Sequence, residues 1–309
     1  MKLQRFFIIS QQHKVKKYIS LLHTLIFLIM KIVPVSLVLG VLSILWSCQQ
    51  NEQAENHQEE MRTVEGVPAL PDQNFKVDAE ALLKDYLTWY GYHYRTIHLA
   101  QDFTALDTDS TQLSKQDFLT KLATGNYIAL KTKVKAGVPV YTLYKSFRND
   151  PSVQRTIKNL ASIELKNLSW EGEQMPAFSF TDLEGNVYDN NSTKGKVLVL
   201  KCWFIGCVAC VKEFPELNLL VDEYRANPDI QFVSLASDTK PQLESFLTKK
   251  PFKYATVSDQ AIFMEKELSI KMYPTHLLIN KEGKIVKVVN HANDLIPALR
   301  KETEKAALY

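Results

Sequence analysis

Two cysteines three positions apart, Cys207 and Cys210, are the residues of this chain best suited to do chemistry. A thiolate is the nucleophile of disulfide exchange, and a second thiol one helical turn away can displace the mixed disulfide that the first attack leaves. The run before the pair, Lys196-Val-Leu-Val-Leu-Lys-Cys-Trp-Phe204, is β-branched and aromatic enough for a buried strand, and Gly206 punctuates its end. After it, Cys207, Cys210, Phe214, Leu217 and Val221 recur at helical spacing. That places Cys207 in a first helical turn, where unpaired N–H groups and the positive end of the helix favour a thiolate. Glu213, one turn after Cys210, is either a carboxylate near the buried sulfur that helps manage its proton or a solvent-facing helix residue; the residues leave both open. Pro215 lacks an N–H and should kink the helix.

Other uses of the pair fit less well. A structural zinc site would need two more sulfur or nitrogen ligands, and no second cysteine pair exists. A haem attachment site needs His after the second cysteine, where Val211 stands. No metal and no cofactor is therefore expected. Cys202 reads as a small core residue, Lys201 as a lysine snorkelling to water along its stem, with a desolvated ammonium that favours the Cys207 thiolate as the alternative, and His276 as a satisfied strand residue.

The elements that would position the pair can be ordered coarsely. An entry hairpin turning at Gly185 precedes the Lys196 strand and the Cys207 helix. A strand at Ile230 to Ser237, a helix from about Pro241 to Lys249, a short strand near Tyr254 and a helix around Glu265 follow. A Thr275 strand, a Lys281-Glu-Gly-Lys turn, an Ile285 strand and a closing helix from Asp294 complete the order. Strands and helices alternate first and an antiparallel hairpin ends the sheet.

Upstream, Leu82, Leu83, Tyr86, Leu87 and Tyr90 suggest one helix from Asp78 to about Gln101. Ser114-Lys-Gln-Asp117 is a capping box that opens a short helix ending before Gly125. Tyr127 to Val134 and Val138 to Tyr144 alternate around Lys135-Ala-Gly as a hairpin. The aromatic run Tyr86, Trp89, Tyr90, Tyr92 and Tyr94 is read as a core or half-buried stripe, with a partner-binding face as the alternative.

Three separated motifs resemble one family. Met175-Pro-Ala-Phe-Ser-Phe-Thr-Asp-Leu-Glu-Gly-Asn resembles an entry hairpin, Trp203 to Pro215 an active-site strand and helix, and Tyr273-Pro274-Thr275 with the following His-Leu-Leu-Ile-Asn-Lys-Glu-Gly-Lys a cis-proline strand and hairpin, all of the membrane-tethered TlpA/ResA-type thiol-disulfide oxidoreductases. The resemblance covers a little under half of the chain. It implies an α/β, thioredoxin-like fold for the C-terminal domain, a cis Pro274 facing the cysteines, and a substrate bordered by Trp203, Tyr273, Pro274 and Thr275. Gly206 stands where the family carries Trp, the pair Val208-Ala209 has no proline, and Lys201 takes the strand position of thioredoxin's buried acid. A peroxiredoxin, a related fold, would show Thr three residues before its reactive cysteine, where Phe204 stands.

The N-terminus points to a compartment. Residues 1–47 hold six Lys or Arg and no Asp or Glu, and the apolar run from Ile32 to Trp46 ends at Leu45-Trp-Ser-Cys48. A basic start, a short apolar core and Leu-x-small-Cys resemble a lipoprotein signal peptide, with lipid on Cys48. Met30 is the expected true start; an uncleaved membrane anchor is the alternative, but fifteen apolar residues are short for a span. Removing the six leader cations from the 37 basic residues leaves 31 against 34 acids, a formal charge of −3, which gives no case for nucleic-acid binding. The expected organisation is a signal region at 1–47, lipidated Cys48 and a polar tether over 48–75, a small α+β domain at 76–168 and a thioredoxin-like domain at 169–309.

The expected function is a cell-envelope thiol-disulfide oxidoreductase, a reductase of protein disulfides rather than an oxidase. Cys207 attacks, Cys210 resolves, Glu213 assists, and an upstream membrane or periplasmic electron donor restores the dithiol. A lipid-anchored binding module with a structural disulfide and a thiol-dependent peroxidase are the alternatives.

Overall fold

Two aspartates divide the first helical stretch. In the computed structural model, which describes residues 72–145 and 150–306, Asp78 accepts from the Ala81 N–H at 3.0 Å and Asp85 from the Thr88 N–H at 2.8 Å. Each N-cap satisfies orphan donors and starts its own helix. The single helix expected from Asp78 to Gln101 is therefore two, α1 (Ala79–Leu82) and α2 (Tyr86–Thr96), after the short β1 (Gln73–Asn74). The signal region, Cys48 and most of the tether lie outside the described residues.

Ser114 opens α3 (Lys115–Ala123) with one half of the expected capping box, accepting from the Asp117 N–H at 3.0 Å, while its hydroxyl rather than its backbone N–H donates to the Asp117 carboxylate at 2.7 Å. The hairpin is β4 (Tyr127–Lys135) and β5 (Val138–Lys145), with Ala136 at φ 48° and Gly137 at φ 79°, the left-handed pair of a type I′ turn. With β2 (Thr104–Leu106) and β3 (Gln112–Leu113) they form a sheet of order β1-β4-β5-β2-β3. An 18-residue helix, α4 (Pro151–Leu168), covers it; Asp150 caps α4 and Pro151 sits in its first turn. Trp89, Phe118, Leu122, Ile128, Tyr141 and Ile157 are the heart of this core. The aromatic run splits: Trp89 is fully buried, Tyr86 is half-buried against the core with its hydroxyl on Thr156, and Tyr90 and Tyr94 stack outward along α2.

The second half begins with the hairpin β6 (Ser179–Thr181) and β7 (Val187–Asp189), turning at Gly185. Its sheet has the order β10-β9-β8-β11-β12. Strands β8 (Val197–Trp203), β9 (Ile230–Ala236) and β10 (Ala255–Val257) run parallel, and β11 (Thr275–Ile279) and β12 (Ile285–Val289) form the antiparallel edge. Every residue of β8 is buried, as a central strand covered on both faces must be. Leu198, Leu200 and Cys202 pack with Phe180 and Leu277 on one face, and Val197 and Val199 with Leu217 and Leu295 on the other. Helices α5 (Val208–Lys212), α6 (Phe214–Glu223), α7 (Lys240–Leu247) and α8 (Ala292–Ala306) complete this thioredoxin-like α/β arrangement. The helix expected around Glu265 is a single π-helical turn, Phe263–Glu267.

The described residues belong to one compact unit. Ala100 is buried with Val199 and Leu295, Gln101 donates to Asp294 at 2.9 Å, and buried Asn167 donates to buried Asn290 at 2.8 Å. Among the described residues no helix is long and apolar enough to cross a membrane.

Candidate active site

Strand β8 carries the chain to the end of the sheet, and Phe204 to Gly206 turn it into α5. Cys207 is the N-cap of that helix, one residue earlier than its expected place in the first turn; its Sγ accepts the Cys210 N–H at 3.1 Å. Cys207 and Cys210 are joined as a disulfide. Cys210 has no exposed surface and Cys207 is 8% exposed, so an incoming group meets Cys207 first. Val208 beside it is largely exposed and lines a groove of about 480 Å³ with Ile205, Val211 and Phe246. The helix stops at Lys212 and Pro215 opens α6, the break that a proline lacking an N–H imposes.

The peptide bond Tyr273–Pro274 is cis and leads directly into β11. Tyr273 is half-buried, packs against the cluster that holds both cysteines, and meets Phe204 edge-on at 5.3 Å. Pro274 and Thr275 are buried, so they reach the surface through backbone at most. The Pro274 carbonyl accepts from Asn290 Nδ2 at 2.9 Å, and the same amide donates to Thr275 Oγ1 at 2.9 Å, while Thr275 donates to the Met272 carbonyl at 2.7 Å. Asn290 and Asn167 thus fix the proline loop, and neither carries a signal in the sequence beyond being an isolated polar residue. On the far side of the loop, Met272, Ile270 and Trp170 line a largely apolar cavity of about 540 Å³.

Trp203, expected at the border of a substrate, presents no exposed side-chain surface. It is completely buried, edge-on to Phe214 at 5.0 Å and near Phe246 and Phe252. Its side chain supports the cysteine-bearing turn from behind, because the odd residues of β8 face the helices.

The charged residues around Glu213 depart most from expectation. Glu213 is not solvent-facing: at the junction of α5 and α6 its Oε2 takes Lys201 Nζ at 2.5 Å and His276 Nε2 at 3.0 Å, and its Oε1 takes the Ala292 N–H at 2.9 Å. Lys201 has no exposed surface and does not snorkel; it faces His276 across the β8–β11 pair. Burial alone would raise Glu213, but the His276 hydrogen bond and the charges beside it bring its carboxyl down to about 2. Burial lowers Lys201, opposed by the pull of Glu213. Burial, with the Lys201 charge, lowers His276 to about 4. The imidazole is therefore neutral near pH 7 and must place its proton on Nε2 to meet a carboxylate, which leaves Nδ1 as a buried acceptor without a partner among the described residues. A carboxyl held at about 2 is an anion rather than a proton acceptor for a thiol, so its expected part in handling the Cys210 proton narrows to electrostatics and positioning. Cys202 points to the opposite face of β8, where burial pushes its thiol up to about 12; it is the inert core residue expected.

The sequence model of the Redoxin family matches residues 170–303. The chain is 30% identical over 119 residues to a thiol-disulfide oxidoreductase ResA of Bacillus cereus, covering 38% of this chain and 68% of that protein. It is 26% identical over 157 residues to the ResA of Bacillus thuringiensis (strain Al Hakam), covering 50% and 82%. Among solved structures, the thioredoxin domain of a Bacteroides vulgatus thiol-disulfide oxidoreductase superposes with a TM-score of 0.39 at 25% identity, covering 42% of this chain and 96% of that one.

Proposed function

The chain belongs to the ResA-like thiol-disulfide oxidoreductases of thioredoxin fold, and from that premise we propose that it reduces protein disulfides outside the cytoplasm through the Cys207–Cys210 couple. The observation that carries this reading is the pairing of a disulfide, of whose two cysteines only Cys207 keeps any exposed surface, with the Tyr273-Pro274 loop at the end of the same sheet. In the reduced protein the Cys207 thiolate attacks a substrate disulfide and expels one substrate thiolate. Cys210, having lost its proton, then attacks Cys207 Sγ, releases the second substrate thiol and regenerates the intramolecular disulfide. An electron donor in the membrane or periplasm returns two electrons and two protons. The backbone at Tyr273 and Pro274 aligns an extended substrate segment, and Glu213 holds the helix that carries Cys210. A lipid on Cys48 tethers the protein to the membrane.

The test is the reduction potential of the couple, with the bonded sulfurs mapped by mass spectrometry. A value near or below roughly −250 mV agrees with a reductase, and one near roughly −120 mV makes the protein an oxidant. Disulfide exchange that survives Cys207→Ser would overturn the assignment.

A further inference from the structure

Two buried ionisable side chains of the redox half converge on one carboxylate. Lys201 and His276, from neighbouring strands, and the Ala292 N–H, from the start of α8, all donate to Glu213, three residues after Cys210. Lys201 and His276 have no exposed surface. An ammonium without water needs a partner, and a buried pair is tolerated when the lone pairs are filled by further hydrogen bonds, as they are here. The other ionisable groups around the cluster are Tyr254, whose hydroxyl is buried without a partner among the described residues, His291 next to Ala292, and Cys202 on the far face of β8. Among the described residues the hydrogen bonds to the Glu213 carboxylate come from Lys201, His276 and Ala292, and none from Tyr254, His291 or Cys202.

We propose that Lys201 and His276 are positioning residues for disulfide exchange: they hold Glu213 as a fixed, triply hydrogen-bonded anion at the end of the cysteine helix, so that no proton is taken up there as the cysteine pair cycles. The cluster is Lys⁺, carboxylate and neutral imidazole, with no net charge. Without Lys201, the Glu213 and His276 pair becomes neutral by binding one proton, and that proton then titrates against the thiolate of the nearby pair. This inference rests on Cys207 and Cys210 being the redox couple.

The experiment is the rate of disulfide exchange by the purified full chain between pH 5 and 9, together with the thiolate titration of the reduced protein. The native protein gives one inflection, that of the attacking cysteine. Lys201→Met gives a second inflection and about a tenfold slower exchange at pH 7, equal to a shift of one pKa unit. Lys201→Met with Glu213→Gln, which removes both charges, returns the profile to one inflection, and remains informative where the single variant folds poorly because no unpaired charge is left. A folded Lys201→Met protein with the native single inflection and midpoint overturns the proposal, as does a double variant that keeps the second inflection. Exchange that persists in Cys207→Ser instead removes the premise, independently of the profiles.

Discussion

Thr275, the residue after cis Pro274, lies directly opposite Cys202 on β8, and His276 lies opposite Lys201. The strand that follows the proline is thus registered residue for residue with the strand that delivers the cysteines. A slip of one residue would turn Lys201 and His276 to opposite faces of the sheet and leave only one of them facing Glu213.

Cys207→Ser is expected to abolish exchange, and Cys210→Ser to retain the first attack and accumulate a mixed disulfide with substrate. Intact-mass measurement after incubation with a disulfide-bonded protein distinguishes the two. Absence of any adduct in Cys210→Ser would count against Cys207 as the attacking sulfur.

Asn290→Ala strips the Pro274 carbonyl and the Thr275 hydroxyl of a buried donor and leaves Asn167 unpaired. The expected cost is about 2 to 4 kcal/mol in urea unfolding, since each orphaned buried polar group costs about 1 to 3 kcal/mol. A rise in KM for protein disulfides should accompany it, because the proline loop loses its support.

Trp203→Ala removes a fully buried indole and should cost about 3 to 5 kcal/mol. Trp203→Phe keeps the edge-on packing against Phe214 and deletes an indole N–H that has no partner among the described residues. Its cost should be smaller than that of the alanine by more than about 1 kcal/mol. Equal losses in the two variants, read by thermal melting, would show that the ring contributes little.

Acid should unfold the protein in two stages. His93 is 6% exposed, and burial, with a contribution from His98, lowers it from 6.5 to about 4. Below pH 6.5 the unfolded chain binds a proton that the folded chain refuses, so stability falls from pH 6.5 to about 4, by at most about 3 kcal/mol from this residue. His276, lowered in the same sense, acts over the same window. Glu213, depressed from 4.5 to about 2, contributes stability above pH 4.5 that is lost as pH falls toward 2. Urea midpoints across pH 7, 5 and 3 check this, and His93→Leu should shrink the first stage to the share of His276 and leave the second unchanged.

Local signals made much of the fold legible. The Ser114 capping box, the Ala136-Gly137 turn and the buried run of β8 each carry their geometry in adjacent residues. The cysteine helix was equally plain, because spacing alone puts Cys207 and Cys210 one turn apart. Helix α4 had an overlooked signal in Asp150-Pro151 before Val153, Ile157 and Ala161. The Lys201, Glu213 and His276 cluster was not legible, since its members are 12 and 63 residues apart and only the β8–β11 register brings them together. Read locally, a lysine in a strand is taken to snorkel before it is taken to be desolvated, and a helix glutamate is left open between water and the buried sulfur; tertiary pairing decides both toward burial.

The chain of amides from Asn167 through Asn290 to the Pro274 carbonyl crosses from α4 into the redox half. Trimming the protein to residues 170–303, the segment that the Redoxin model matches, would leave Asn290 facing an empty seat, and the smaller piece would start with a loosened proline loop. For anyone engineering the redox half as a stand-alone reagent, α4 therefore belongs to the tool rather than to the packaging.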